Sequence, residues 1–391
     1  MKELIKRLVK DPKAERVKRE IALLNWCDVD EEDVVFSRKL IFSEGGGNRI
    51  RWLLCRFNHP FGGVFTVLRM ACMLKKYGFA SKIVIYDDPD FDITPMWGQI
   101  ERYFPQLSKE DFLPFSGDWS ALPGADIGVG TFWPSAYHLL RMRDVTKKVL
   151  LVQDFEPAFY PAGTEYALAE NTLRMPFSRL FNTPGLLTFV ERNYPVPGKS
   201  AYFTPACDER YAFCEKPLKP PYRVLLYARP DAPRNAFALC VAFAKALKGK
   251  YKNEVELVCA GAALSDGEQS LFEGSCAFFG VVPYEELPEF YGSFHFVVSF
   301  MLTKHPSYLP FEAMACGCVP IVNLNEANLW LLKDGENCLM AQAAVAPLMA
   351  AFERGLDPEV YRDIVAEGLR TVRATTWESE MEKIAAFFRN L

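Results

Sequence analysis

Two arginines follow a short apolar run in the second half of the chain, at a spacing suited to binding phosphates. The run RVLLY predicts a buried strand, and the sequence ARPDAPRN directly after it brings Arg229 and Arg234 to the start of the next helix. Two guanidinium groups beside a helix N-terminus form a charge-assisted clamp for a diphosphate. Surface salt bridging is the alternative, but proline-constrained turns at the carboxyl end of a strand favour a functional role.

The run TKHPSYLPFEAMACGCVPIVN carries a second group of candidate ligands. Pro310 suits the first turn of a helix and Gly317 its end, which places Glu312 near a cleft rather than in the core. A carboxylate there accepts hydrogen bonds from sugar or ribose hydroxyls, so Glu312 is predicted to be a catalytic and substrate-binding side chain. The hydroxyls of Ser307 and Tyr308, with the backbone N–H groups around them, are predicted to hold phosphate oxygens. Compensation of the helix dipole is the alternative role for Glu312.

Glycines in the first half also follow a predicted strand. In NHPFGGVF, Gly62 and Gly63 lie where a strand leads into a helix, so the backbone can approach a ligand closely and offer N–H groups to an anion. A plain tight turn is the alternative. His59, just before a proline, is a further candidate near the sugar. The earlier GGGN at 45–48 lacks nucleotide-binding spacing and is predicted to form a hairpin.

Two carboxylates follow the apolar run KVLLV, at the carboxyl end of another predicted strand. Asp154 and Glu156 in QDFEP therefore face the same cleft from the first domain. Asp154 is the first choice for contact with the acceptor or with the donor sugar, as a catalytic side chain. Its alternative role is to cap the next helix or turn.

Short apolar runs alternate with helical segments through both halves, which predicts parallel sheets buried between helices. The Pro- and Lys-rich segment at 214–223 interrupts both periodicities and is predicted to connect two domains. We expect an α/β fold with Rossmann-like domains over 1–215 and 221–374, and a closing helix over 375–391. Thr375 and Glu378 have capping-box spacing at its start. Ligands of such domains lie at the carboxyl ends of the strands.

The composition excludes several classes of protein. A net charge of −4 gives no general attraction to nucleic acid, and no stretch is long and apolar enough for a membrane span or a signal peptide. The 11 cysteines lie mostly in apolar runs without metal-ligand spacing, which predicts reduced thiols and a cytoplasmic location. The sequences DPD and DFD between 88 and 92 are interpreted as a polar loop, and no metal cofactor is expected.

The first 20 residues carry more basic than acidic side chains, beside apolar residues suited to one helical face. A solvated helix that packs a few apolar residues on the domain is the favoured interpretation. Weak peripheral contact with the inner face of the membrane is the alternative.

These motifs together resemble known glycosyltransferases. The loop leading into EAMACGCVPIV, with Arg229 and Arg234, resembles the donor-binding signature of family 4 glycosyltransferases over most of the C-terminal half. Four longer segments spanning both halves are similar to WsaF-type rhamnosyltransferases of bacterial polysaccharide synthesis: HPFGGVFTVLRMACML, VQDFEPAFYPAGTEYALAENTLR, YARPDAPRNAF and HPSYLPFEAMACG.

The resemblance implies a GT-B fold whose C-terminal helix returns to the N-terminal domain. It also implies a dTDP- or UDP-linked sugar donor, dTDP-β-L-rhamnose in the WsaF type, and transfer with retention onto a glycan or lipid-linked glycan. By position, Gly62 and Gly63 would contact donor or acceptor, and Glu312 a ribose hydroxyl. Arg229 and Arg234 would bind the diphosphate, with Ser307 and Tyr308 beside it.

One departure from the family 4 pattern concerns the position eight residues before Glu312, where the family has a second glutamate. Lys304 stands there in this chain and is predicted to be a substrate-binding residue, although a lysine cannot accept hydrogen bonds from hydroxyls. The usual contact to the donor hexose is therefore absent or replaced. Two other functions stay open: a GT-B-like sugar-nucleotide epimerase, and an inactive glycan-binding protein.

Overall fold

The computed structural model describes residues 12–43, 45–58 and 62–391 and contains two parallel β-sheets, each covered by helices. The first sheet has seven strands in the order β3-β2-β1-β4-β5-β6-β7. Its strands are β1 (Arg49–Leu54), β2 (Ala80–Ile85), β3 (Phe112–Pro114), β4 (Ile127–Gly130), β5 (Lys147–Val152), β6 (Ser178–Phe181) and β7 (Ser200–Tyr202).

The second sheet has six strands in the order β10-β9-β8-β11-β12-β13, again with every neighbouring pair parallel. A segment without helix or strand, residues 203–221, connects the two sheets. The strands are β8 (Tyr222–Tyr227), β9 (Val255–Ala260), β10 (Ala277–Gly280), β11 (Phe296–Ser299), β12 (Val319–Asn323) and β13 (Leu339–Ala341). The predicted α/β fold with two Rossmann-like units is confirmed.

Helices pack against each sheet, and the central strands are mostly buried, including the charged Arg51 of β1 and Lys147 and Lys148 of β5. The helices of the first half are α1 (Pro12–Trp26), α2 (Glu31–Ile41), α3 (Gly63–Met73), α4 (Trp97–Tyr103), α5 (Trp133–Arg141), α6 (Thr164–Thr172) and α7 (Pro184–Asn193). Those of the second half are α8 (Phe237–Tyr251), α9 (Asp266–Ser270), α10 (Leu287–Gly292), α11 (Leu309–Ala315), α12 (Val345–Gly355), α13 (Pro358–Arg373) and α14 (Trp377–Arg389).

The last helix, α14, packs on the first sheet rather than on the second. Its Trp377, Ile384 and Phe388 belong to the same buried cluster as Trp52 of β1, and the rings of Phe388 and Trp52 lie 5.8 Å apart. The backbone N–H of Thr204, in the connecting segment, donates to the carboxylate of Glu380 on this helix at 2.9 Å. The chain therefore crosses between the two sheets twice.

Two local predictions were wrong. The sequence GGGN at 45–48 follows helix α2 instead of a strand, so it makes no hairpin. The capping box of α14 is formed by Thr376 and Ser379 rather than Thr375 and Glu378, because the buried Trp377 begins the helix and fixes its frame.

Candidate functional site

The strand order of each sheet reverses once, between β1 and β4 in the first sheet and between β8 and β11 in the second. In doubly wound sheets, ligands bind outside the carboxyl ends of the strands at such a reversal. The turns that follow these strands contact each other between the two domains, where the hydroxyl of Tyr308 lies 2.8 Å from Thr66 Oγ1. We call this region the interdomain cleft. Most of the residues predicted from sequence lie on its walls.

Arg229 and Arg234 follow β8, on the second domain's side of the cleft. The Arg234 guanidinium lies 4.2 Å from the ring centre of Phe159, which belongs to the first domain. Burial lowers the pKa of Arg234, the nearby charge of Arg229 lowers it further, and Asp154 opposes this effect. Among the described residues, neither arginine forms a salt bridge. Two neighbouring cations without ion-pair partners form a site that favours an anion.

Asp154 follows β5 and spans the cleft. Its Oδ2 accepts a hydrogen bond from Thr303 Oγ1 at 2.6 Å, and its Oδ1 accepts from the backbone N–H groups of Phe155 at 2.7 Å and Lys304 at 3.1 Å. Burial raises the pKa of Asp154 to about 6, and these hydrogen bonds limit the rise. Both oxygens accept hydrogen bonds from protein groups, so this carboxylate forms a contact between the domains, and its predicted contact with the acceptor or the donor sugar stays a prediction.

Glu156 also has a structural partner. Its Oε2 accepts from the backbone N–H of Trp133 at 2.6 Å, at the start of α5. Burial raises the pKa of Glu156 well above its usual value, and the charge of Asp154 raises it further. A capping role was the alternative for Asp154, and Glu156 has such a role at the start of α5.

The segment between β11 and α11 carries three of the predicted donor ligands, and we call residues 303–308 the 303–308 loop. The Lys304 ammonium lies 5.3 Å from the ring centre of Phe189 in the first domain. Ser307 has a φ of 69°, and its N–H donates to His305 Nδ1 at 3.0 Å, so this N–H is already used within the loop. The predicted contacts of the Ser307 and Tyr308 hydroxyls and the neighbouring N–H groups with phosphate oxygens stay predictions.

The Tyr308 hydroxyl points to the first domain. It pairs with Thr66 Oγ1 and lies 3.4 Å from Asn182 Nδ2. Thr66 stands one turn into α3, and Asn182 directly follows β6, a position at which a search of strand ends would have found it. Thr303 gave no signal in the sequence, because its role depends on a partner 149 residues away.

Glu312 lies on α11 and faces a cavity of about 60 Å³ between the domains. Burial raises its pKa to about 7, while hydrogen bonds with the Tyr211 and Tyr291 hydroxyls oppose the rise. Ligand pockets for molecules of drug size measure roughly 300–1,000 Å³, so this cavity admits a few waters or one edge of a ligand. Its other lining residues include Gly62, Thr66, Arg69, Asp208, Tyr284 and Tyr308.

Gly62 and Gly63 lie at the start of α3, and a side chain is disfavoured at the two positions for different reasons. Gly62 has a φ of 57°, which disfavours any residue with a side chain, but an added Cβ would meet open space. Gly63 has ordinary torsions, and an added Cβ would lie 3.0 Å from the amide nitrogen of Gln153 and 3.1 Å from its oxygen. Gly63 therefore makes room for a neighbouring side chain at the cleft.

His59 and the first 11 residues lie outside the described residues, and with them half of the basic residues among the first 20. The DPD sequence lies in a loop where Arg56 pairs with Asp88 at 3.4 Å. No cluster of three or more His, Cys, Asp or Glu suited to a metal occurs in the described part of the chain. Across that same part, none of the helices has the length and apolar character needed to cross a bilayer.

Comparison with known proteins gives a family and two kinds of relatives. Residues 222–353 match the family model of the WsaF C-terminal domain. Over 337 residues, or 85% of this chain, the sequence is 34% identical to the O-antigen biosynthesis protein RfbC of Myxococcus xanthus. The chain spans about a quarter of the length of that relative, 26%.

Solved structures superpose on both domains together. A variant of S. aureus TarM in complex with fondaparinux, alpha-GlcNAc-glycerol and UDP has a TM-score of 0.69 at 8% identity, over 88% of this chain and 100% of that chain. Sucrose-phosphate synthase from Thermosynechococcus elongatus has a TM-score of 0.66 at 15% identity, over 88% and 99%. Anabaena HepE in complex with UDP and glucose has 0.65 at 12% identity, over 88% and 100%. The chain has the GT-B glycosyltransferase fold, and its residues 222–353 match the family model of the WsaF C-terminal domain, in line with its resemblance to the WsaF type.

Proposed function

We propose that this chain is a glycosyltransferase of surface-polysaccharide synthesis that takes a nucleoside diphosphate sugar as its donor. The observation that carries the proposal is the pair of neighbouring arginines at the end of β8, Arg229 and Arg234, which lack ion-pair partners among the described residues. They stand at the strand reversal where this fold binds ligands. The relationship to an O-antigen biosynthesis protein supports the polysaccharide context.

The proposed chemistry is electrostatic. When the bond between sugar and phosphate breaks, negative charge accumulates on the leaving diphosphate, and preorganised cations stabilise that charge. Arg229 and Arg234 supply two cations, and Lys304 on the 303–308 loop supplies a third. Because these side chains neutralise the diphosphate, we expect transfer to be independent of a divalent metal. Transfer in the presence of EDTA tests this point.

The finer assignments follow the resemblance to the WsaF type. We propose L-rhamnose from dTDP-β-L-rhamnose as the transferred group, with retention at the anomeric carbon, onto a glycan or lipid-linked glycan. UDP is the alternative carrier, since the TarM and HepE structures are complexes with UDP. Glu312 would bind a ribose hydroxyl, which for a thymidine donor can only be the 3′-hydroxyl. Gly62, Gly63 and His59 would lie beside the sugar.

The same proposal includes four further points: membership of family 4, domain boundaries at 215 and 221, a cytoplasmic location and weak contact with the membrane. Three apolar side chains of α1 are exposed: Val17, Ile21 and Leu24. However, Arg16 and Lys18 of this helix pair with acidic residues of the same helix, which reduces its attraction to anionic lipid. Co-sedimentation with vesicles that contain anionic lipid measures this contact.

A thermal-shift screen with UDP, dTDP and their sugars tests the proposal. A ligand at one hundred times its dissociation constant stabilises the folded state by about 2.7 kcal/mol, which is readily measured. The donor that binds is then incubated with and without a glycan acceptor. Conversion without acceptor favours the epimerase, and binding of neither nucleotide favours the inactive glycan-binding protein.

A further inference from the structure

The 303–308 loop is held at both of its ends by the first domain. At the start of the loop, Asp154 accepts from Thr303 Oγ1 at 2.6 Å and from the Lys304 N–H at 3.1 Å. At its end, the Tyr308 hydroxyl pairs with Thr66 Oγ1 at 2.8 Å. Six consecutive residues of the second domain thus have their two ends fixed by side chains of the other domain.

The second domain contributes fewer side-chain hydrogen bonds to this loop, and the backbone N–H of its Glu312 donates to the Tyr308 carbonyl at 3.1 Å. Residues 300–308 form no helix or strand. The Asn325 amide donates to the Thr303 carbonyl, and the Ser307 N–H donates to His305 inside the loop. Thr303 is fully buried, and Asp154 is 8% exposed. In such surroundings a hydrogen bond to a charged group contributes more than a solvated one, and removing one partner leaves the other unsatisfied.

We propose that Thr66 and Asp154 are positioning residues, which hold the 303–308 loop of the second domain in the shape that receives the donor diphosphate. The inference rests on the proposed function, because that function gives the loop its ligand. It changes the role of two predicted ligands: Asp154 acts through the loop rather than on the sugar, and the Tyr308 hydroxyl binds Thr66 rather than a phosphate. Donor affinity then depends on residues that never contact the donor.

A double-mutant cycle between Thr66 and Tyr308 tests this coupling. Thr66→Val, Tyr308→Phe and the double variant are compared with the unmodified protein by calorimetry with UDP and with dTDP. We expect each single change to weaken binding about fivefold, the loss of one hydrogen bond. The double variant should lose little more than Tyr308→Phe by itself, because both changes break the Thr66–Tyr308 contact and Tyr308→Phe also removes the longer contact with Asn182.

The controls separate positioning from direct contact. Thr66→Ser keeps the hydroxyl and should restore most of the affinity. Thr188→Val makes the same change on the exposed side of α7, where the hydroxyl donates only to the Pro184 carbonyl at 2.9 Å. Multiplicative losses of about 25-fold in the double variant, or a loss with Tyr308→Phe and none with Thr66→Val, would mean that these side chains bind the nucleotide independently. Either result overturns the inference.

Hydrogen exchange without ligand separates this inference from the proposed function. Amides of residues 303–308 should exchange several-fold faster in Thr66→Val and in Thr303→Val than in the unmodified protein, and Thr303→Ser should restore slow exchange. Faster exchange in a protein that binds neither UDP nor dTDP would support positioning and reject the proposed function. Unchanged exchange in both valine variants rejects positioning whether or not a nucleotide binds.

Discussion

Charged side chains in the cleft fall into two groups, which differ in whether other protein groups bind their charge. Arg229 and Arg234 stay half-buried beside each other without ion-pair partners among the described residues, so their charge is available to a ligand. Asp154 and Glu156 carry their own protein donors, and burial raises the pKa of each. A diphosphate meets positive charge here, while the acidic side chains are held by hydrogen bonds to the protein.

Removing either arginine should weaken binding of a diphosphate selectively. A charge-assisted hydrogen bond contributes about 1.5–3 kcal/mol, so Arg229→Ala and Arg234→Ala should each weaken binding of UDP or dTDP by about 10- to 100-fold. Binding of uridine or thymidine should change little. Calorimetry with both ligand classes measures the difference, and equal losses for nucleotide and nucleoside would point to a folding defect instead.

The pKa of Glu312 predicts how donor binding depends on pH. Burial raises this pKa to about 7, so the carboxylate that we propose to accept a ribose hydroxyl forms as the pH rises from about 6 to 8. Donor affinity should increase over that interval. Glu312→Gln should bind the donor more weakly at pH 8 and lose this dependence, because an amide does not ionise. A Michaelis constant that is the same for both proteins across the interval would remove Glu312 from the site.

At the scale of elements, the sequence predicted what depends on neighbouring residues. The strand β8 and the arginine turn after it follow from an apolar run and its prolines, and Pro310 with Gly317 bounded α11 to within one or two residues. The contacts across the cleft could not be predicted, because Thr66 and Tyr308 are separated by 242 residues. Which oxygen of Asp154 meets which donor depends on how two domains pack, and no local pattern encodes that packing.

A single substitution at the start of α3 tests whether the space at Gly63 is needed for sugar transfer. In Gly63→Val, the first added carbon lies 3.0–3.1 Å from the Gln153 amide, and two methyl groups extend beyond it. The Gln153 side chain must therefore move, and the added valine side chain narrows the cleft beside the proposed position of the sugar. We predict a folded protein that binds nucleoside diphosphate normally, since the arginines are on the other domain, but transfers almost no sugar.

Gly249→Val is the matched control for this change, because Gly249 lies on α8 and an added Cβ meets nothing within 4 Å. Transfer by Gly63→Val at a rate near that of the control would make Gly63 a turn residue only. A second comparison uses Gly62→Ala, where the positive φ and not crowding is the obstacle. Its unfolding free energy should fall by about 1–3 kcal/mol.

At the scale of the whole molecule, the two domains meet at a cleft that concentrates buried acidic groups. The chain crosses between the domains twice, through residues 203–221 and again before α14. Asp154 and Glu312 lie where the domains meet and have raised pKa values. The site therefore retains carboxylates whose charged form is disfavoured by burial. Replacing such a carboxylate with a neutral side chain should raise the free energy of unfolding.

Glu312→Gln should stabilise the ligand-free protein while weakening donor binding. The pKa of Glu312 rises from 4.5 to about 7 on folding, so the folded state binds this proton more tightly than the unfolded state. The stabilisation from that proton is complete below about pH 4.5 and is lost as the pH rises through 7. The variant should therefore gain stability relative to the unmodified protein between these values, by at most about 3 kcal/mol. Chemical unfolding of both proteins at pH 5 and pH 8 measures the difference, and a gap that does not widen with pH would show that the Glu312 carboxylate is not disfavoured by burial.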